Sequence, residues 1–157
     1  MLNKLNKLRE ERAEGDKGFT LIELLVVVVI IGILIAIAIP LYLNYQRGAK
    51  DKSAQSDVRA AVATIEQCYT DNGNNYPVGP ITLSGNAYSF TAGCASGKLN
   101  ISSGTTLTYN VYTDAAETTA CTGSATCVAY TISGYNSGGN KAAPGYAYNS
   151  TAGGQVK

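Results

Sequence analysis

Glu23 is the residue whose surroundings ask most of its chemistry, because it stands at the edge of residues 24–46, a run with no charged side chain. At 1.5 Å per helical residue such a run extends roughly 34 Å, enough to cross the hydrocarbon of a bilayer. A carboxylate beside lipid is costly unless a cation answers it, so an acid in this place reads as a functional group by default. The local sequence also offers Glu23 a smaller task. Thr20-Leu21-Ile22-Glu23 has the spacing of a capping box, in which the two polar side chains satisfy orphan N–H groups at a helix start, and an acid there suits the helix dipole.

The other residues with chemical potential are four cysteines, Cys68, Cys94, Cys121 and Cys127, all beyond the apolar run. An even count in a small exported domain reads as two disulfides, and although four cysteines allow three pairings, Cys68 with Cys94 and Cys121 with Cys127 are favoured. On the chain-entropy account those loops are worth roughly 3.5 and 2.5 kcal/mol. A Cys-x5-Cys spacing with no histidine in the chain speaks against zinc, and no metal or other cofactor is expected. Without histidine neither a Ser-His nor a Cys-His nucleophilic pair can form, so no catalytic residue is assigned and the chain is not expected to be an enzyme. Asp71, Asp114 and Glu117 lack the EF-hand pattern, which leaves only a calcium site of another kind open. Ser96-Gly97-Lys98 lacks the lead-in of a phosphate loop. Asn100-Ile101-Ser102 and Asn149-Ser150-Thr151 match a glycosylation sequon, a pattern short enough to arise by chance. The 11 tyrosines read as strand formers with an amphipathic tip.

These residues need elements to hold them. Residues 19–71 read as one long helix, apolar all round in its first half; in its second, Ala54, Val58, Ala61, Val62, Ile65 and Tyr69 leave one apolar stripe. Pro40 removes a backbone hydrogen bond, and Gly32 and Gly48 each cost about 1 kcal/mol against alanine, so the first half is the weaker one. Asp71-Asn72-Gly73-Asn74-Asn75, with Pro77 beyond, stops the helix. Past that point the period turns to two. Residues 106–113 alternate with Leu107, Tyr109, Val111 and Thr113 on one face, residues 127–133 and 87–91 are shorter candidates, and the punctuation suggests an antiparallel sheet of three to five strands. Packing that sheet on the helix stripe gives an α+β fold with one small core. Residues 137–140 read as an exposed turn, and residues 151–157 carry no signal.

The order of the parts narrows the function. A secretory signal loses its apolar segment, whereas here the charged residues 1–17 come first and a useful cut would fall in front of the run, leaving the helix on the mature protein. Lys17-Gly18 before Phe19-Thr20-Leu21-Ile22-Glu23-Leu24-Leu25-Val26 resembles the class III signal of type IV pilins and type II secretion pseudopilins. The resemblance covers about the first fifty residues. It implies cleavage by a prepilin peptidase after Gly18, N-methylation of Phe19 and a need for Glu23 in assembly; Gly32 and Pro40 fall where such proteins carry a helix-weakening Gly and Pro. The division expected is a leader over 1–18, a protruding apolar helix half over 19–53 and a pilin-like globular head over 54–157.

The function so implied is that of a structural subunit of a type IV pilus: a single-pass precursor in the cytoplasmic membrane, drawn by an assembly machinery into a homo-oligomeric helical filament at the cell surface. A pseudopilin or minor pilin is the alternative within the resemblance, and a membrane-anchored binding domain that never polymerises is the alternative outside it. Five of the 12 bases and four of the 11 acids fall in residues 1–18, so the remainder carries seven of each and gives nucleic-acid binding no support. Adhesion, motility, DNA uptake and conduction depend on partners outside this chain.

Overall fold

In the computed structural model, the residues described are 18–78, 81–84, 88–89, 98–123, 125–154 and 156. They contain one α-helix, α1 (Leu21–Asp71), and six strands: β1 (Ile81–Ser84), β2 (Tyr88–Ser89), β3 (Lys98–Leu99), β4 (Thr105–Tyr112), β5 (Ala129–Asn136) and β6 (Tyr146–Asn149). The chain divides into two compact units, Met1–Tyr42 and Leu43–Lys157.

The first unit contains the apolar beginning of α1, whose side chains are all exposed from Leu21 to Tyr42. The helix starts two residues later than the sequence pattern suggests because Thr20 is its cap; the Leu24 N–H reaches the Thr20 carbonyl at 3.3 Å. At the other end Gly73 (φ 63°) and Asn74 (φ 64°) turn left-handed, and the Asn74 N–H closes back on the Tyr69 carbonyl at 2.9 Å. That is the Gly-Asn stop read from the sequence.

The second unit, the head, lays a four-stranded antiparallel sheet in the order β1-β4-β5-β6 on the remainder of α1, with β2 and β3 paired as a separate ribbon. Along β4, Thr105, Leu107, Tyr109 and Val111 are buried while the residues between them are half-buried. Opposite them on β5 lie Asn136, Gly134, Ile132 and Tyr130. The helix contributes Ala54, Val58, Ala61, Ile65 and Cys68 to one core with these strand residues. The stripe read from the sequence is therefore the packing stripe, with Val62 and Tyr69 at its margins.

Strand bounds differ from the sequence reading for local reasons. Thr113 leaves β4 because its N–H pairs with the Thr119 carbonyl at 3.0 Å, starting a turn. β5 begins after Cys127, whose N–H is taken at 2.6 Å by Asn75 Oδ1, and runs on to Asn136 through a glycine. Of the expected strand 87–91, Tyr88–Ser89 pairs with Lys98–Leu99 outside the main sheet, and residues 87, 90 and 91 lie outside the described residues. The four strands of the main sheet fall within the three to five that the sequence suggested, and the β2–β3 ribbon is additional to it.

Gly134 sets how closely helix and sheet approach. A β-carbon there would meet Leu107 Cδ2 and lie 2.7 Å from Val58 Cγ2, so the two layers would have to part. Gly134→Ala is expected to lower head stability by about 1–3 kcal/mol through overpacking, to be read as a fall in unfolding temperature with the helix content unchanged.

Candidate functional site

Gly18, Phe19 and Thr20 precede the helix in irregular, exposed backbone, and the Phe19 side chain is 80% exposed. Thr20 and Glu23 then bind each other reciprocally. The Thr20 N–H and the Thr20 hydroxyl each donate to Glu23 Oε2 at 2.8 Å, and the Glu23 N–H donates to Thr20 Oγ1 at 3.3 Å. The capping box read from the sequence is thus formed, and it fixes where the helix begins. The Gly18–Phe19 bond lies just outside this cap, in exposed non-helical backbone. Gly18, Phe19, Thr20 and Glu23 line one shallow depression.

Beyond the cap the helix is unbroken through Gly32 and Pro40. A β-carbon at Gly32 would touch nothing within 4 Å, so no contact within the described chain calls for glycine there. Leu21, Ile22, Leu24, Leu25 and the aliphatic residues that follow them to Leu43 are all exposed. Monomeric soluble proteins rarely expose an apolar surface of this extent, and such a surface marks a site of association with lipid or protein. Among the described residues this is the one helix long and apolar enough to cross a membrane.

Residues 15–39 match the prokaryotic N-terminal methylation motif. The type IV major pilin protein PilA of Myxococcus xanthus is 34% identical over 91 residues, which are 55% of this chain and 41% of that protein. The type IV major fimbrial protein FimA of Dichelobacter nodosus is 51% identical over 56 residues, 36% of each chain. The N-terminal segment is thus similar to that of type IV major pilins. The type II secretion system core protein G of Pseudomonas aeruginosa is 44% identical over 57 residues, 36% of this chain and 40% of that protein. The segment is therefore similar to pilins and to a secretion component alike, and the chain spans less than half the length of each of these three relatives. No solved structure matches the chain.

In the head, Cys121 and Cys127 form a disulfide with a Cα–Cα separation of 5.6 Å, and both are fully buried. Cys68 is also disulfide-bonded, but the expected partner Cys94 lies outside the described residues. Removing the short bridge with Cys121→Ser and Cys127→Ser together is expected to cost about 2.4 kcal/mol on the loop-entropy account, measurable as a lower denaturant midpoint under non-reducing conditions. The two acids noted beyond the helix are structural. Asp114 accepts from the Thr118 and Thr119 N–H groups at 3.0 and 2.8 Å, and these bonds, Thr118 first, hold its carboxyl below the ordinary range. Glu117 (φ 58°) accepts at 2.8 Å from Asn149 Nδ2 and from the Thr151 hydroxyl. Asn149 of the second sequon is thereby engaged, and in the first the Ser102 hydroxyl donates to Asp57 at 3.0 Å.

Three helix acids escaped the sequence reading, and each ties α1 to the head. Asp51 accepts from the Asn140 N–H at 3.0 Å and the Lys141 N–H at 3.1 Å. Asp57 takes the Ser102 N–H at 3.0 Å. Glu66 takes the Tyr130 hydroxyl at 2.8 Å and, more loosely, that of Tyr76 at 3.4 Å. Asp51 stands three residues before Ala54 and seven before Val58, so the signal that could have found it was its place on the packing stripe. It also puts the start of the head contact ahead of residue 54.

Proposed function

We propose that the chain is the precursor of a type IV pilus subunit, held in the membrane by residues 24–46, cleaved after Gly18, N-methylated on Phe19 and then polymerised through the same helix. The observation that carries this reading is the exposed apolar surface of α1 from Leu21 to Leu43 with one carboxylate, Glu23, at its edge. Leaving lipid for a bundle of identical helices is nearly neutral in hydrophobic terms, so direction must come from charge. Among the described residues Glu23 has the Thr20 donors to offset lipid; in a filament the new amine of a neighbour's Phe19 answers it at low dielectric. A head-to-tail contact of that kind does not close on itself and so propagates. The space around Gly32 and the missing N–H of Pro40 let α1 loosen between them as subunits stack, with the released backbone groups shielded by neighbours.

The similarity to a type II secretion core protein supports a second reading, a pseudopilin whose filament stays short. Deleting the gene for this chain separates the two. Loss of sheared surface filaments, seen by electron microscopy, with protein secretion intact supports the pilus. Secretion lost with surface filaments retained supports the pseudopilin, and neither defect would remove both.

A further inference from the structure

The second unit carries, near its first residues, a charge pattern that filament docking through Glu23 does not use. Residues 43–56 and the turn 137–145 together hold four bases, Arg47, Lys50, Lys52 and Lys141, and a single acid, Asp51. That acid is 8% exposed and turned inward, its oxygens occupied by the Asn140 and Lys141 N–H groups. The four bases are exposed. Arg47 lies four residues before Asp51 on the stripe that packs the sheet, so it continues that stripe where the core ends. Lys50 lies against Gly138, where a β-carbon would come within 2.5 Å of its Nζ and 2.7 Å of its Cδ. Lys141, from the same turn, holds its Nζ 4.1 Å over the Tyr146 ring. Lys52 stands apart, donating to Gln55 at 3.3 Å. The glycines of this turn thus make room for Asp51 and Lys50 and leave Lys50 and Lys141 beside a buried acid, with Arg47 one helical turn before it.

From these placements we infer that Arg47, Lys50 and Lys141 bind the phosphate of an anionic phospholipid headgroup before the subunit leaves the membrane. The inference rests on the membrane reading given above. The uncharged run ends at Gln46 after roughly the thickness of the hydrocarbon, so the next charged residues fall in the headgroup layer. Tyr42 and Tyr45, both strongly exposed, stand where amphipathic rings mark a membrane interface. A diester phosphate fits such a site: it accepts from a guanidinium and two ammonium groups and carries the opposite charge. Extraction into a filament then includes giving up this headgroup, which makes the anionic lipid a brake on release.

The test titrates the full chain, in neutral detergent micelles, with phosphatidylglycerol or phosphatidylcholine and counts bound lipid by native mass spectrometry. Phosphatidylglycerol is expected to bind at least tenfold more tightly, and Arg47→Gln, Lys50→Gln and Lys141→Gln are each expected to weaken it roughly fivefold. Arg59→Gln, on the same helix but outside the set, is expected to leave it unchanged, and near-ultraviolet tyrosine dichroism checks that every variant is folded. Equal affinity for the two lipids, or a triple variant that binds as wild type does, overturns the inference. Glycerol phosphate binding as tightly as the lipid would make this a site for free phosphate and overturns the lipid assignment. Alkaline extraction of cell membranes keeps the two claims apart. A chain that washes off fails the membrane reading, whereas one that stays and shows no lipid preference fails only this inference.

Discussion

Glu23→Ala is expected to reduce filament yield to background while the unfolding temperature of the head stays at the wild-type value. At the centre of a membrane helix an unanswered charge costs about 2.5–3.5 kcal/mol; Glu23 stands at the edge of its run, so that range is the ceiling of what pairing with a neighbour's amine recovers on docking. Alanine removes the penalty from the membrane state and leaves the neighbour's amine unpaired in the filament, so both ends of the step shift against assembly. At 1.4 kcal/mol per factor of ten, the loss reaches at most roughly a hundredfold in the docking constant for each added subunit. Alanine also destroys the capping box, worth about 1 kcal/mol to the helix start, and that effect has to be separated from the charge. Glu23→Gln does so, because its amide oxygen can still accept from the Thr20 N–H and hydroxyl that now bind Glu23 Oε2. A glutamine variant that fails as the alanine variant does assigns the defect to charge. Full assembly by both variants would leave hydrophobic packing alone as the driving force.

The second large effect concerns Glu66. Tyr130 is fully buried and its hydroxyl rests on Glu66 at 2.8 Å; the Tyr76 hydroxyl shares the same carboxylate. The ring of Tyr130 is packed among those of Tyr76, Tyr109 and Tyr148 at centroid distances of 4.8, 5.8 and 5.7 Å, so it cannot swing to another acceptor. Glu66→Ala therefore strands a buried hydroxyl and removes a charged acceptor, an expected loss of about 3 kcal/mol.

The pH dependence gives a finer test. Burial first, and then the Glu66 charge, push Tyr76 up to about 12, and burial followed by Glu66 also raises Tyr130. Groups raised in the folded state stabilise it fully below their unfolded pKa, near 10 for tyrosine, and that contribution is lost as pH climbs toward the folded value. Head stability is expected to hold to about pH 10 and then fall. Glu66→Gln starts lower by about 1 kcal/mol, for want of the charge. It also falls less steeply, so its denaturation midpoint approaches that of wild type between pH 10 and 12. Parallel curves for the two proteins would remove Glu66 as the cause.

Sequence legibility followed repeat length. α1 was readable because Ala54, Val58, Ala61 and Ile65 return at helical spacing for several turns, and β4 because four alternations suffice to establish a period of two. β1 and β6 have four residues and β3 has two, too few to display any period. Their places are set by pairing with β4, β5 and β2, which a local reading cannot supply. The Thr20–Glu23 cap and the apolar helix run were legible, since they are contiguous in the chain. The helix-to-head ties were not. Acids on a helix read as a solvated face, and what turns Asp51, Asp57 and Glu66 inward is a donor 89, 45 and 64 residues away. Gly134 fell one residue beyond the strand expected over 127–133, and that Val58 lies against it is a fact of the tertiary fold.

Filament assembly by a processed helix is tested most directly by the intact mass of the subunit in sheared, washed surface filaments, with the N-terminus sequenced by fragmentation. The result expected is a chain beginning at Phe19, bearing one added methyl group on its amine and lacking residues 1–18. A filament subunit that still begins at Met1, or filaments that do not contain this chain, would contradict it.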